Sequence, residues 1–168
     1  MRLFVSWLPD LSPWIKQWAA YYGNHAMLST VITYLHLAGL VVGGGAAVTT
    51  DRQIVRAWRG GGARRPATLL DVAAVHAFVV GGLFITVVTG TLMLFADFDT
   101  FKASPLFWWK MGGVSLLLLN GGVLNWAQGL ARRTEGARGW NVLGAVSVVS
   151  MALWMLTLFL GTYLKTAA

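Results

Sequence analysis

The sequence predicts an all-α membrane protein: an antiparallel bundle of four transmembrane helices preceded by an amphipathic helix on the membrane interface. Three observations predict it. Of 168 residues, 57% are hydrophobic and 11% charged, where an ordinary soluble domain carries about 25% charged residues. The apolar residues form four long continuous runs rather than alternating, and in hydrocarbon only helices or a closed barrel satisfy the backbone. Most of the arginines gather in two of the connections between the runs, as membrane topology demands.

Residues 1–24 are not expected to be a signal peptide, because Pro9, Asp10, Pro13 and Lys16 interrupt the apolar residues and no small-residue cleavage site follows. Trp7, Leu11, Trp14, Ile15, Trp18 and Tyr22 instead recur at helical spacing, which predicts an amphipathic helix lying in the outer interface. That helix equally suits covering a site that opens on this side, or docking a partner. Residues 25–168 form the transmembrane domain. Its helices are expected from about Met27 to Val48, Leu69 to Phe95, Pro105 to Ala131 and Trp140 to Leu164, each longer than the roughly 20 residues a span needs.

The first connection carries Arg52, Arg56, Arg59, Arg64 and Arg65, and the third carries Arg132, Arg133 and Arg138. The second, residues 96–104, sets Asp97 and Asp99 against Lys102 alone. The positive-inside rule therefore puts the arginine connections in the cytoplasm and both termini outside. Trp108, Trp109 and Trp140 read as interfacial anchors.

The composition also excludes. The chain has no cysteine, so thiolate metal sites, disulfides and thiol nucleophiles are absent. Its net charge of +7 belongs to membrane topology; lipid is the expected contact and nucleic acid is not. No carboxylate is expected well inside a segment, which argues against a carboxylate-based transporter and a di-iron site. Many of the 20 glycines lie within the helices, where small residues let helices approach closely or leave room for a flat ligand.

Against this background His36, His76 and Lys110 stand out inside apolar runs, with His25 at the lip of one. Ionisable groups at membrane depth are costly and mark functional sites. On a helical wheel Ser29, His36, Gly43 and Ala47 fall near one line with Thr33 and Gly39 flanking it, a small and polar stripe around one imidazole. His76 shares its face with Val72, Val80, Leu83 and Val87. At ~1.5 Å per residue, His36 lies roughly 14 Å, His76 roughly 20 Å and Lys110 about 8 Å below the outer boundary. The expectation is a haem b with His36 and His76 on its iron, Gly39 and Gly43 making room, and Lys110 meeting a propionate or a quinone oxygen. Each group also has a plainer use. An imidazole can serve as an interhelical hydrogen-bonding group, Lys110 can snorkel to headgroups, and Asn120 and Asn125 can act as interhelical glue.

The phrases LHLAGLVVGGG (with His36) and DRQIVRAW, the later GGLFITVVTGTLML, and SPLFWWKMGGVSLLLLN (with Lys110) resemble small four-helix bacterial membrane proteins. These are the HemJ-type protoporphyrinogen oxidases, the CopD-type copper-resistance membrane domains and their relatives. The HemJ resemblance implies a bound haem b and functional roles for His36 and Lys110, in a bacterial inner membrane. His76 departs from that family and brings the chain nearer to four-helix b-type cytochromes. The CopD resemblance would imply copper, but no Met or His cluster faces outward to support it. Three functions follow: a haem b redox protein exchanging electrons with a quinone or an outer-face partner, a non-catalytic subunit of a larger respiratory or photosynthetic complex, and a HemJ-like oxidase.

Overall fold

The computed structural model describes residues 12–60, 65–133 and 137–167. All regular structure among them is helical: α1 Ser12–Asn24, α2 Ala26–Gly39, a five-residue π-helical turn Leu40–Gly44, α3 Gly45–Arg59, α4 Arg65–Ala96, α5 Phe98–Ala103, α6 Pro105–Arg133 and α7 Ala137–Ala167. Among the described residues, three stretches are long and apolar enough to cross a membrane, namely Ala26–Arg59, Ala67–Ala96 and Ala137–Leu164. The chain is thus all-helical and multi-pass in character. The 29 residues of α6 reach about 43 Å, but Lys110, Ser115, Asn120, Asn125 and Gln128 dilute its apolar content.

Of the expected interfacial helix, Trp7, Pro9, Asp10 and Leu11 lie outside the described residues. The part that is described, α1, packs on α4 and α2. Trp18 Nε1 donates to the Leu92 carbonyl at 2.8 Å, and the Trp18 and Tyr22 rings lie 5.9 Å apart. Trp14 points away and is 81% exposed.

The first apolar helix does not stop where the arginines begin. The DRQIVRAW stretch, expected as a connection, is the body of α3, and Arg52, Arg56 and Arg59 run along its exposed face while Asp51, Ile54 and Ala57 are buried. Charge marks an edge of the hydrocarbon and says nothing about where helical hydrogen bonding ends. Long arginine stems can extend outward from a continuing helix. The wide turn falls where Gly43, Gly44 and Gly45 lower helix propensity, and single π turns of this kind interrupt otherwise regular helices.

Two helix pairs make up the body, α2 with α4 and α6 with α7, and α3 joins them by packing on both α4 and α7. The main hydrophobic cluster lies at the arginine end: Ile54 and Ala57 from α3, Leu69 and Val72 from α4, Ala127 and Ala131 from α6, and Trp140 and Leu143 from α7. Trp140, expected as an interfacial anchor, is 4% exposed, because α7 begins within this cluster. Trp108 and Trp109 are exposed as anchors should be. At the same end Trp58 lies over Gly144 and its Nε1 donates to Asn141 Oδ1 at 2.8 Å.

The α2–α4 crossing brings backbone against backbone. A Cβ on Gly82 would stand 2.5 Å from the Gly43 nitrogen and 2.8 Å from the Gly39 carbonyl oxygen. These are distances that side chains do not tolerate and that only a glycine permits. Gly81, one residue away, faces open space. Gly82→Ala is therefore expected to cost about 1–3 kcal/mol through forced separation of the helices, while Gly81→Ala leaves stability unchanged or slightly raised. Unfolding of both variants in detergent checks the contrast.

Candidate functional site

His36 is held by α4. Its Nδ1 lies 3.1 Å from the Thr86 carbonyl oxygen and 3.1 Å from Thr89 Oγ1. A carbonyl only accepts, and the Thr89 hydroxyl already donates to the Ile85 carbonyl at 2.6 Å. Nδ1 must therefore carry the proton and donate to both. This fixes the tautomer: Nε2 is the unprotonated nitrogen, and it makes no hydrogen bond among the described residues. The ring is seated by Gly90, where a Cβ would come within 3.0 Å of the imidazole Cε1. Donation of one ring nitrogen to a carbonyl, leaving the other free, is the arrangement that orients metal-ligating histidines.

Lys110 of α6 approaches from the other helix pair. It lies close enough to His36 to act on the imidazole electrostatically. Its stem runs over α7 at Gly161, where a Cβ would stand 3.5 Å from Lys110 Cε and 3.7 Å from Nζ. The glycine leaves that surface flat for the aliphatic stem. Just below, Gly113 admits the Thr157 methyl at 3.1 Å from its would-be Cβ, so the packing of α6 on α7 fixes where the lysine emerges.

His76 does not join them. It is exposed on α4, ten residues before Thr86, or about 15 Å along the helix axis from the residues that hold His36. The two imidazoles cannot share one iron within this chain, and the expected His36–His76 pair is not formed. Gly39 and Gly43 are not free to flank a porphyrin either, because Gly82 and Thr86 of α4 occupy that space. The described groove between α2 and α4, about 270 Å³ in volume, is lined by Leu35, Gly39, Val42, Phe78, Gly82 and Ile85 among others and touches neither histidine. As a donor set, then, His36 alone fits an iron ligand, with Lys110 beside it; the two-histidine cage does not.

His25 takes the plainer role. It is exposed, its Nδ1 donates to the Tyr21 carbonyl at 2.8 Å, and its ring lies on that of Tyr21 at 4.1 Å. Asn120 Nδ2 reaches the Val146 carbonyl of α7 at 3.5 Å, whereas Asn125 is exposed.

Thr86, Thr89 and Gly90 were not singled out in the sequence, although two hydroxyls three residues apart and a following glycine in an apolar run are a readable signal. Asp51 was missed as well: it is 1% exposed in the bundle, contrary to the expectation that no carboxylate lies inside. No group of three or more potential metal-ligating His, Cys, Asp or Glu side chains occurs among the described residues.

No family model, no curated protein and no solved structure matches the chain.

The tautomer has a direct readout. Nitrogen NMR of histidine-labelled protein at neutral pH is expected to show His36 protonated at Nδ1 and bare at Nε2. Thr89→Val, which removes one acceptor at nearly constant shape, should leave Thr86 as the sole partner and weaken the Nδ1 hydrogen-bond shift without inverting the tautomer.

Proposed function

We propose that this chain is an integral membrane redox protein that holds haem b on His36, with Lys110 as the adjacent cation for a haem propionate or a quinone oxygen. The observation that carries the reading is the fixed imidazole: Nδ1–H anchored on the Thr86 carbonyl and Thr89, with Nε2 free. Bound haem would supply one-electron chemistry, its potential set by axial ligation, burial and hydrogen bonding to the ligand. The chain's own part is to orient the imidazole through α4, to keep water away with apolar helices, and to offer a positive charge from α6. His76 is no part of the iron site in this proposal.

In the same reading α6 is a fourth span completing an antiparallel bundle. The arginine end faces the cytoplasm of a bacterial inner membrane and both termini face outward, following the distribution of Lys and Arg. His36 and Lys110 then belong to the outer half, where a quinone or an outer-face partner would exchange electrons. A subunit of a larger membrane complex is compatible with this site, since Gly121 and Gly122 lie on the exposed surface of α6 with open space beside them for another helix.

A second reading has a specific observation in its favour. His36 and Lys110, whose charge falls within electrostatic range of the imidazole, are the two residues that the HemJ-type resemblance singles out, which supports oxidation of a porphyrinogen in this region. Complementation of a strain lacking protoporphyrinogen oxidase distinguishes this enzyme from an electron carrier.

The haem proposal is tested by the visible spectrum of the purified protein. A Soret band that is lost in His36→Ala and retained in His76→Ala is expected. A spectrum without a Soret band after expression with ample haem, or a band that depends on His76 and not on His36, overturns it.

A further inference from the structure

At the arginine end, away from His36, a second polar group lies inside the bundle and has nothing to balance it. Asp51 of α3 is 1% exposed, and its carboxylate faces Ser147 and Ser150 of α7, themselves 0% and 5% exposed. Neither carboxylate oxygen completes a well-formed hydrogen bond, and the Ser147 hydroxyl is likewise without a partner. The neighbouring Thr50 hydroxyl is spent on the Ala46 carbonyl at 2.8 Å. No described basic side chain reaches the carboxylate: Arg52, Arg56 and Arg59 on the same helix and Arg138 on α7 are all exposed, as are Asp71 and His76 on α4.

An unpaired charge in such surroundings is expensive, and native interiors neutralise it or coordinate a cation with it. The positions are not accidental leftovers of packing. Asp51 lies one turn before Ile54, a fully buried residue of the main cluster, and Ser147 lies one turn after Leu143, likewise fully buried. Carboxylate and hydroxyls thus converge from two helices beside two fully buried side chains of the main cluster. Oxygen-only ligands select hard cations. A single carboxylate balances a single positive charge, whereas a divalent ion would leave a net charge among apolar helices.

We infer that Asp51, Ser147 and Ser150 form a binding site for a small monovalent cation, sodium in competition with the proton. The carboxylate supplies the charge, and the two serines supply neutral oxygens on the opposite wall. The site joins α3 to α7, so its occupation ties the two helix pairs together. It is independent of the His36 proposal.

The test uses the full chain in detergent, unfolded by heat at pH 8 in sodium chloride or in choline chloride of equal ionic strength. A ligand that binds only the folded state raises the midpoint with its concentration. About 3–6 °C is expected when sodium is ~10-fold above its Kd. The rise should shrink at pH 5, where protons occupy Asp51, and should vanish in Asp51→Asn, which keeps the shape and removes the charge. Ser147→Ala should weaken sodium binding, raising the concentration needed, and serves as the variant of record if Asp51→Asn does not fold. Equal midpoints in the two salts at pH 8, or a sodium effect that survives Asp51→Asn, overturns the proposal. So does a midpoint that follows pH alone, which would make Asp51 a protonated acid with no ion site.

Discussion

The architecture depends on one close approach, the backbone contact between Gly39 and Gly43 on one strand of the bundle and Gly82 on α4. In hydrocarbon there is little hydrophobic gain from bringing two apolar helices together, so association rests on van der Waals contact and interhelical hydrogen bonds. Removing every Cβ at the crossing lets the two backbones touch. This closeness is what brings the Thr86 carbonyl and Thr89 hydroxyl within reach of a short imidazole arm three residues before Gly39. The glycines that looked like space for a ligand are instead the reason that His36 has a fixed orientation.

A second constraint acts at the other end. The large side chains that are fully enclosed, Ile54 and Leu143, belong to a cluster drawn from four helices, while the half that holds His36 and Lys110 relies on pairwise packing of α2 on α4 and α6 on α7. One end fixes the relative positions of the helix pairs; at the other, α4 grips His36 and Lys110 lies along α7 at Gly161.

Much of the fold was legible because the solvent writes its demands into composition. Few charges and long apolar runs specify helices, and the chain is helical where they occur. The candidate residues were legible for the same reason: His36, His76 and Lys110 are all conspicuous where ionisable groups are costly. What periodicity could not supply was facing. On α4 nearly every face is apolar, so the hydroxyls of Thr86 and Thr89 mark a polar spot without telling which side meets α2, and His76, which is exposed, reads as equally eligible. Asp51 escaped notice for a different reason. It adjoins Arg52 in a charged stretch that reads as a connection, and only the continuation of α3 through Arg59 turns it inward. Trp140 was misread by position, since a tryptophan near a span's end marks an interface only when the neighbouring helices leave it uncovered.

The π turn at Leu40–Gly44 separates the imidazole upstream from the carboxylate downstream. With one surplus residue in that turn, a single rod carries two angular settings, one aiming His36 at α4 and the other aiming Asp51 and Ile54 at α7. A π turn absorbs one residue more than an α turn, so a residue lost elsewhere between His36 and Asp51 would hardly shorten the rod, yet would spin the lower half by about 100° and slide Arg52 into the place of Asp51. The glycine triplet is therefore a timing device as well as a contact surface: it sets the rotation of the lower half while Gly43 keeps the backbone of α4 within touching distance.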